Sequence, residues 1–175
     1  MERALLVSIF CADRPGLVAA IAGRLYDLGA NLGDTTFAVL GEGAEFTAVC
    51  FAPPSLAIER IRAELSSLPE IGAGTVEVRD YTMGAVHGPS GHITHRIEMT
   101  GGDRPGLIAR LAEVFGQFGA NIVRLNAETI PGTGGAHYAT RFAVSIPPER
   151  ADACLATVAN TAGEMHLVCR WSRAE

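Results

Sequence analysis

The chain of 175 residues contains no lysine; all fourteen of its basic residues are arginine. That absence excludes Schiff-base chemistry on a protein amine, a pyridoxal anchor and the phosphate-gripping lysine of a P-loop. Gly101 to Gly106 has glycine spacing like that of a P-loop, but Leu107 stands where the lysine would be. Positive charge is short overall. The net charge of -5 argues against a surface that tracks phosphates, and no helix-turn-helix segment is present, so no direct contact with nucleic acid is expected. Cysteine is sparse and unpatterned: Cys11, Cys50, Cys154 and Cys169 form no CxxC pair and no metal-ligand spacing. Their apolar neighbours point to buried free thiols in a reducing compartment, with no metal and no cofactor. Long hydrophobic runs are also missing. The apolar stretch from Ala4 to Phe10 is too short for a signal segment with flanks or a membrane span, which predicts a cytoplasmic chain with no membrane partner.

Catalytic constellations are lacking too. Neither HExxH nor GxSxG occurs, and Ser90 sits in GPSGH without the second glycine of a nucleophile elbow. His92 and His95 fall three apart on a predicted strand and so point to opposite faces. No catalytic residue is assigned, and the chain is not expected to be an enzyme.

What is present is a repeat. The segment DRPGLVAAIAGRLYDLGANL from Asp13 recurs as DRPGLIARLAEVFGQFGANI from Asp103, ninety residues on, with half of the positions identical. Two copies in so short a chain predict two similar modules, residues 1–83 and 92–175, joined by a linker over 84–91 of composition GAVHGPSG. Each copy opens with an alternating apolar segment: Leu5, Val7, Ile9 and Cys11, then Ile93, His95, Ile97 and Met99, the signature of a half-buried strand. Asp-Arg-Pro-Gly then starts a helix, with the proline in its first turn and the aspartate placed to cap it. Leu17, Ile21, Leu25 and Leu28 make its buried stripe, matched by Leu107, Leu111, Phe115 and Phe118, and Gly29 and Gly119 end it. Strands follow around residues 32–40 and 46–52, joined at Gly41-Glu42-Gly43. The second copy has a longer turn at 131–135, after which the repeat offset grows to ninety-four. Pro53-Pro54 and Pro147-Pro148 introduce a second helix, with Ile58, Ile61, Leu65 and Leu68 as its stripe in the first copy. A last strand lies near residues 75–82 and 166–171. The order βαββαβ, twice, is the ferredoxin-like arrangement: an α+β fold of two modules, each a four-stranded antiparallel sheet with two helices on one face.

The outer sheet faces differ between the copies. The first should present Leu6, Phe10, Val49 and Phe51, and the second Arg96, Thr100, Ala143 and Ser145. An apolar face is unusual in water, so the first is expected to be covered by a partner or by the other module.

The repeated loop carries the ligand chemistry. A helix amino end offers free N–H groups and positive dipole, which suit a carboxylate. Gly16 and Gly106 let backbone approach a ligand closely. Asn31 and Asn121 hold a donor and an acceptor, and Asp13 and Asp103 could accept from an ammonium group. Each motif also has a plain reading as a cap or a helix stop.

DRPGL followed by GANL or GANI within βαββαβ resembles the ACT domain, a module that binds amino acids and regulates attached enzymes or partners. A tandem pair without a catalytic domain is similar to the glycine cleavage system transcriptional repressor group, whose members are thought to sense glycine and act on a separate DNA-binding activator. The resemblance covers nearly the whole chain. It implies a ligand held between the first loop of one module and the post-helix asparagine region of its neighbour. The residues implicated are Asp13, Arg14, Pro15, Gly16 and Leu17 with Asn31 and Leu32, and Asp103, Arg104, Pro105, Gly106 and Leu107 with Asn121 and Ile122. Some serine-binding relatives carry histidine two residues before an asparagine at the start of this loop; here Cys11 and Asp13, or Gly101 and Asp103, occupy those places. The expected function is a non-catalytic regulator that binds a small, glycine-like amino acid and acts through protein contacts, with a homodimer and a regulatory partner protein. The alternative is a structural dimerisation module with no ligand.

Overall fold

The structure is a computed structural model and describes residues 2–84, 86–102, 105–131 and 137–174. The chain divides into two compact units, Met1–Ala85 and Val86–Glu175. The first runs β1 (Arg3–Ala12), α1 (Leu17–Asp27), β2 (Asn31–Leu40), β3 (Gly43–Ala52), α2 (Ile58–Ser66), β4 (Thr75–Asp80). The second runs β5 (His95–Gly102), α3 (Leu107–Gln117), β6 (Asn121–Ile130), β7 (His137–Ser145), α4 (Ala151–Glu164), β8 (Val168–Arg173). The sheets have the orders β2-β3-β1-β4 and β6-β7-β5-β8, and their pairings are antiparallel. Both units therefore have the ferredoxin-like architecture.

Alternation builds the cores. Leu5, Val7, Ile9 and Cys11 of β1 lie under the helices with Phe46, Ala48 and Cys50 of β3, and Leu17, Ile21 and Leu25 descend on them from α1. Full burial of one such aliphatic side chain contributes about 1.5–3 kcal/mol, and the spacing of two along a strand against three or four along a helix selects these elements. In the second unit Ile97, Met99, Leu111, Phe115, Phe142 and Val144 play the same part.

The two cores distribute bulk differently. Phe46 is answered by Thr140 and Ala48 by Phe142, whose ring packs 5.4 Å from that of Phe115. At the sheet end the exchange is reciprocal. Cys11 of β1 lies beside Gly74, where a Cβ would meet the Cys11 Cβ at 2.5 Å. In the second unit Gly101 stands in the place of Cys11, and Leu167 fills the space, its Cδ2 only 2.4 Å from where a Gly101 Cβ would be. A large residue on one strand is traded for a large residue on the neighbouring loop, keeping the volume filled.

Both helix ends differ in how well their sequence signals read. Gly29 and Gly119 have φ of 79° and 67°. Around them Gly29 N–H donates to Tyr26 O and Ala30 N–H to Leu25 O, repeated by Gly119 to Gly116 and Ala120 to Phe115, the paired bonds of a Schellman stop. At the amino end of α1 the expected aspartate cap is absent among the described contacts. The cap position is Gly16, at φ 86°, with no side-chain cap bond, and Pro15 lies in the turn before the helix. Gly106 repeats this at φ 81°. The left-handed glycine turns the chain sharply between strand and helix, leaving Asp13 too far upstream to reach the helix's free N–H groups. His92 and Ile93 also precede β5, which begins at His95. β4 ends at Asp80, short of residue 82, and β8 spans Val168–Arg173.

Candidate ligand-binding loops

Each unit carries the repeated loop on the exposed edge between its first strand and first helix. Asp13, Arg14, Pro15 and Gly16 are exposed, as are Pro105 and Gly106. Asp103 and Arg104 lie outside the described residues. Leu17 and Leu107 are each only 2% exposed and anchor the helix in the core. The loop of the first unit is held from two sides: Asp13 N–H donates to Glu42 O at 2.9 Å, and Arg14 Nη1 donates to Pro69 O at 3.1 Å. A left-handed glycine with no side-chain cap bond opens each helix, and in α1 the Leu17 N–H reaches back to Arg14 O at 3.4 Å.

A shallow concavity of ≈ 500 Å³ lies beside this loop, lined by Cys11, Ala12, Arg14, Ile71, Gly74 and Thr75 among others. The second unit has one of ≈ 310 Å³ in the corresponding place, lined by Pro105, Arg110, Glu164, Met165 and His166. Both sit between the strand-to-helix loop and the segment that leads into the last strand. Cys11 borders the first, but burial pushes its thiol pKa up, against the lowering effect of the Arg14 charge, so it is a poor nucleophile.

The asparagines stand elsewhere. Asn31 begins β2 and pairs in register with Phe51, which pairs with Ala4 near the start of β1. The loop lies at the far end of β1 and of α1, a helix of eleven residues and about 16 Å long. Within one unit the loop and the asparagine are thus not brought together. Asn31 is exposed and Leu32 half-buried against the core; Ile122 is likewise half-buried. Asn121 has a task of its own: its Nδ2 donates to Ser90 O at 2.8 Å, fixing the 3-10 turn Pro89–Gly91 to the end of β6.

The family-model comparison bears on the second of these loops. Residues 95–153 match the model of the ACT domain. The match lies within the second unit. The first unit has the same strand order and helix placement, and the fold of the whole chain recurs in solved structures. A protein of unknown role from Galdieria sulphuraria superposes with a TM-score of 0.77 at 19% identity, over 100% of both chains. A candidate glycine cleavage system transcriptional repressor superposes with a TM-score of 0.69 at 16% identity, over 100% of this chain and 99% of that one. At such identities the likeness is one of fold. No curated protein matches the sequence.

Among the described residues no three His, Cys, Asp or Glu side chains are grouped as metal ligands, and no helix is long and apolar enough to cross a membrane. Outside the repeated loops, the described residues hold a further chemical feature that the repeat does not reveal. Arg96, Arg124, Arg141 and Arg170 all point to the outer face of the second sheet. The signal was the alternation of each strand, but the four arginines come from four strands, and only the register shows that they are neighbours.

Proposed function

We propose that the chain is a non-catalytic regulatory protein that binds a small, glycine-like amino acid at its ACT loops and acts through protein–protein contacts. The observation that carries this reading is the duplicated helix start: a left-handed glycine, φ 86° and 81°, followed by a helix amino end with no side-chain cap. The same left-handed glycine opens the first helix of both units, and a helix amino end suits the carboxylate of an amino acid. Asp13 and Asn31 supply the polar chemistry for its ammonium end. Because these two groups lie at opposite ends of α1, a ligand at the loop draws its asparagine from a second copy of the chain, in a homodimer. The fold shared with a candidate glycine cleavage system transcriptional repressor favours glycine and a role as a co-regulator of transcription acting on a partner protein rather than on DNA.

Titration calorimetry of the full chain against the twenty amino acids tests this. Saturable binding of glycine or a close analogue is expected. No heat from any of them at millimolar concentration refutes sensing and leaves a structural pairing module as the function.

A further inference from the structure

We propose that the outer face of the second unit's sheet is a second ligand site, built to hold a small molecule with at least two oxyanion groups, phosphate or carboxylate. It is separate from the ACT loops, and nothing in this inference depends on amino-acid binding.

The register lays out the site. One row across the sheet reads Arg124, Ala143, Arg96, Ser172, and the next reads Asn126, Arg141, Glu98, Arg170. Ala143 and Ser172 are small, so the arginines rise around a depression of ≈ 450 Å³, within the roughly 300–1,000 Å³ typical of small-ligand sites. Arg96 and Arg170 are diagonal cross-strand neighbours, about 7–8 Å apart at the backbone, as are Arg124 and Arg141. Long guanidinium side chains at that separation can converge on one multiply charged group.

The charges are unequally engaged. Arg141 donates from Nε to Glu98 at 3.2 Å and from Nη1 to Glu128, so both acids of this face are committed to one arginine. Arg96, Arg124 and Arg170 are exposed and form no ion pair with any described residue. Four arginines against two glutamates leave a surplus of two positive charges, in a chain whose net charge is -5. Concentrated like charge on an exposed face is unfavourable unless something occupies it, and guanidinium forks match phosphate and carboxylate oxygens in pairs.

The first unit serves as an internal control. By the repeat offset and the strand register, the places of Arg96, Arg124, Arg141 and Arg170 are held there by Leu6, Asp34, Thr47 and Glu77. The depression on that face is lined by Glu45 and Glu77 with Ser8 and Phe10. The same backbone thus carries the opposite sign, so the fold itself does not require the arginines. A long polyanion such as nucleic acid is disfavoured by the overall acidity and by Glu98 and Glu128 beside the cluster. A compact anion fits.

The test uses the full chain with inorganic pyrophosphate and citrate as probes. Binding is read by titration calorimetry. Saturable binding is expected, and the tighter probe names the oxyanion. Replacing Arg124 and Arg170 together by serine should weaken it about tenfold or more, whereas Arg79→Ser on the first unit's face should not change it. Unchanged melting of the serine variant keeps the comparison free of unfolding. The proposal is overturned if neither probe saturates, if sodium chloride at equal ionic strength gives the same response, or if the Arg124→Ser/Arg170→Ser protein binds as the parent does.

Discussion

Replacing Gly101 by alanine tests the idea that each unit places one large residue where its β-strand meets the loop before the last strand. The new Cβ would lie 2.4 Å from Leu167 Cδ2, 3.2 Å from His166 O and 3.3 Å from Leu167 Cα. The first contact is impossible as it stands, and the other two are tight but tolerable. Gly101 is half-buried and Leu167 only 7% exposed, so the leucine cannot simply swing into solvent. Overpacking of this kind costs about 1–3 kcal/mol. Leu167→Ala alone removes buried methyl groups and leaves a void, at about 2–5 kcal/mol. In the double variant the clash disappears because its partner atom is gone, and the alanine methyl occupies part of the void. The double should therefore be more stable than the sum of the singles predicts by at least about 1 kcal/mol, inside the range of about 0.5–3 kcal/mol seen for residues in contact. Trp171 lies on β8 in the same unit, so urea melts followed by its fluorescence report on this unit selectively. Additivity of the two substitutions within about 0.5 kcal/mol would refute the reasoning, because the space would then not be shared.

His95 takes the place that Leu5 holds in the first core; it is 6% exposed and its Nε2 has no partner among the described residues. Burial lowers its pKa, assisted by the Arg173 charge and opposed by Asp152. With the folded value below the unfolded one of about 6.5, its contribution is complete above that pH and is lost as the pH falls below it, since the unfolded chain takes the proton more readily. Melting of the second unit should therefore drop as the pH falls through about 6.5, and His95→Leu should flatten the fall; equal slopes for parent and variant would exclude this account. The Cys50 thiol is pushed up to about 11 by burial, so it should stay unmodified by Ellman's reagent in the folded protein and react once urea unfolds the first unit. Modification of native Cys50 at the rate of an unfolded thiol would contradict the packing.

Much of the fold is legible in the sequence because its signals are local. Alternation in Leu5 to Cys11, the helical stripe from Leu17 to Leu28 and the glycine stops at 29 and 119 each require only one element's geometry. The helix start departs from the sequence pattern for a related reason. Asp13 and Pro15 have the look of a cap and a first-turn proline, but a left-handed Gly16 takes the cap position and moves both upstream. Side-chain capping and glycine-mediated turning compete for the same few residues, and composition alone does not decide between them. The features that stayed hidden depend on register. That Gly101 replaces Cys11 is visible in the repeat, yet its compensation by Leu167 opposite Gly74 requires knowing which residues of the last strand lie beside β5. The arginine cluster is the same case: four residues at 96, 124, 141 and 170, each unremarkable on its own strand, become one site through three strand pairings.

The structure also narrows what the repeated loop can be said to mean. Residues shared by the two copies fall into groups with different physical causes. Gly16 and Gly29 are required by positive φ, where a side chain is strained by about 1–2 kcal/mol, while Leu17 and Ala30 are required by burial. Arg14 holds Pro69 O, and Pro15 stiffens the turn. Only Asp13 and Asn31 have polar side chains that are exposed and make no hydrogen bond or ion pair to a described residue. If the loop merely maintained the fold, these two would be free to differ between copies. Substituting both by alanine should therefore leave the melting of the first unit within about 0.5 kcal/mol, the range of surface changes that break no contact. The same variant should lose amino-acid binding measured by calorimetry at that unit's loop. Each result constrains the other. A clear loss of stability would mean the pair has a structural task that explains its repetition without a ligand. Retention of full affinity would separate the ligand from these side chains and leave the uncapped helix ends as its only anchor.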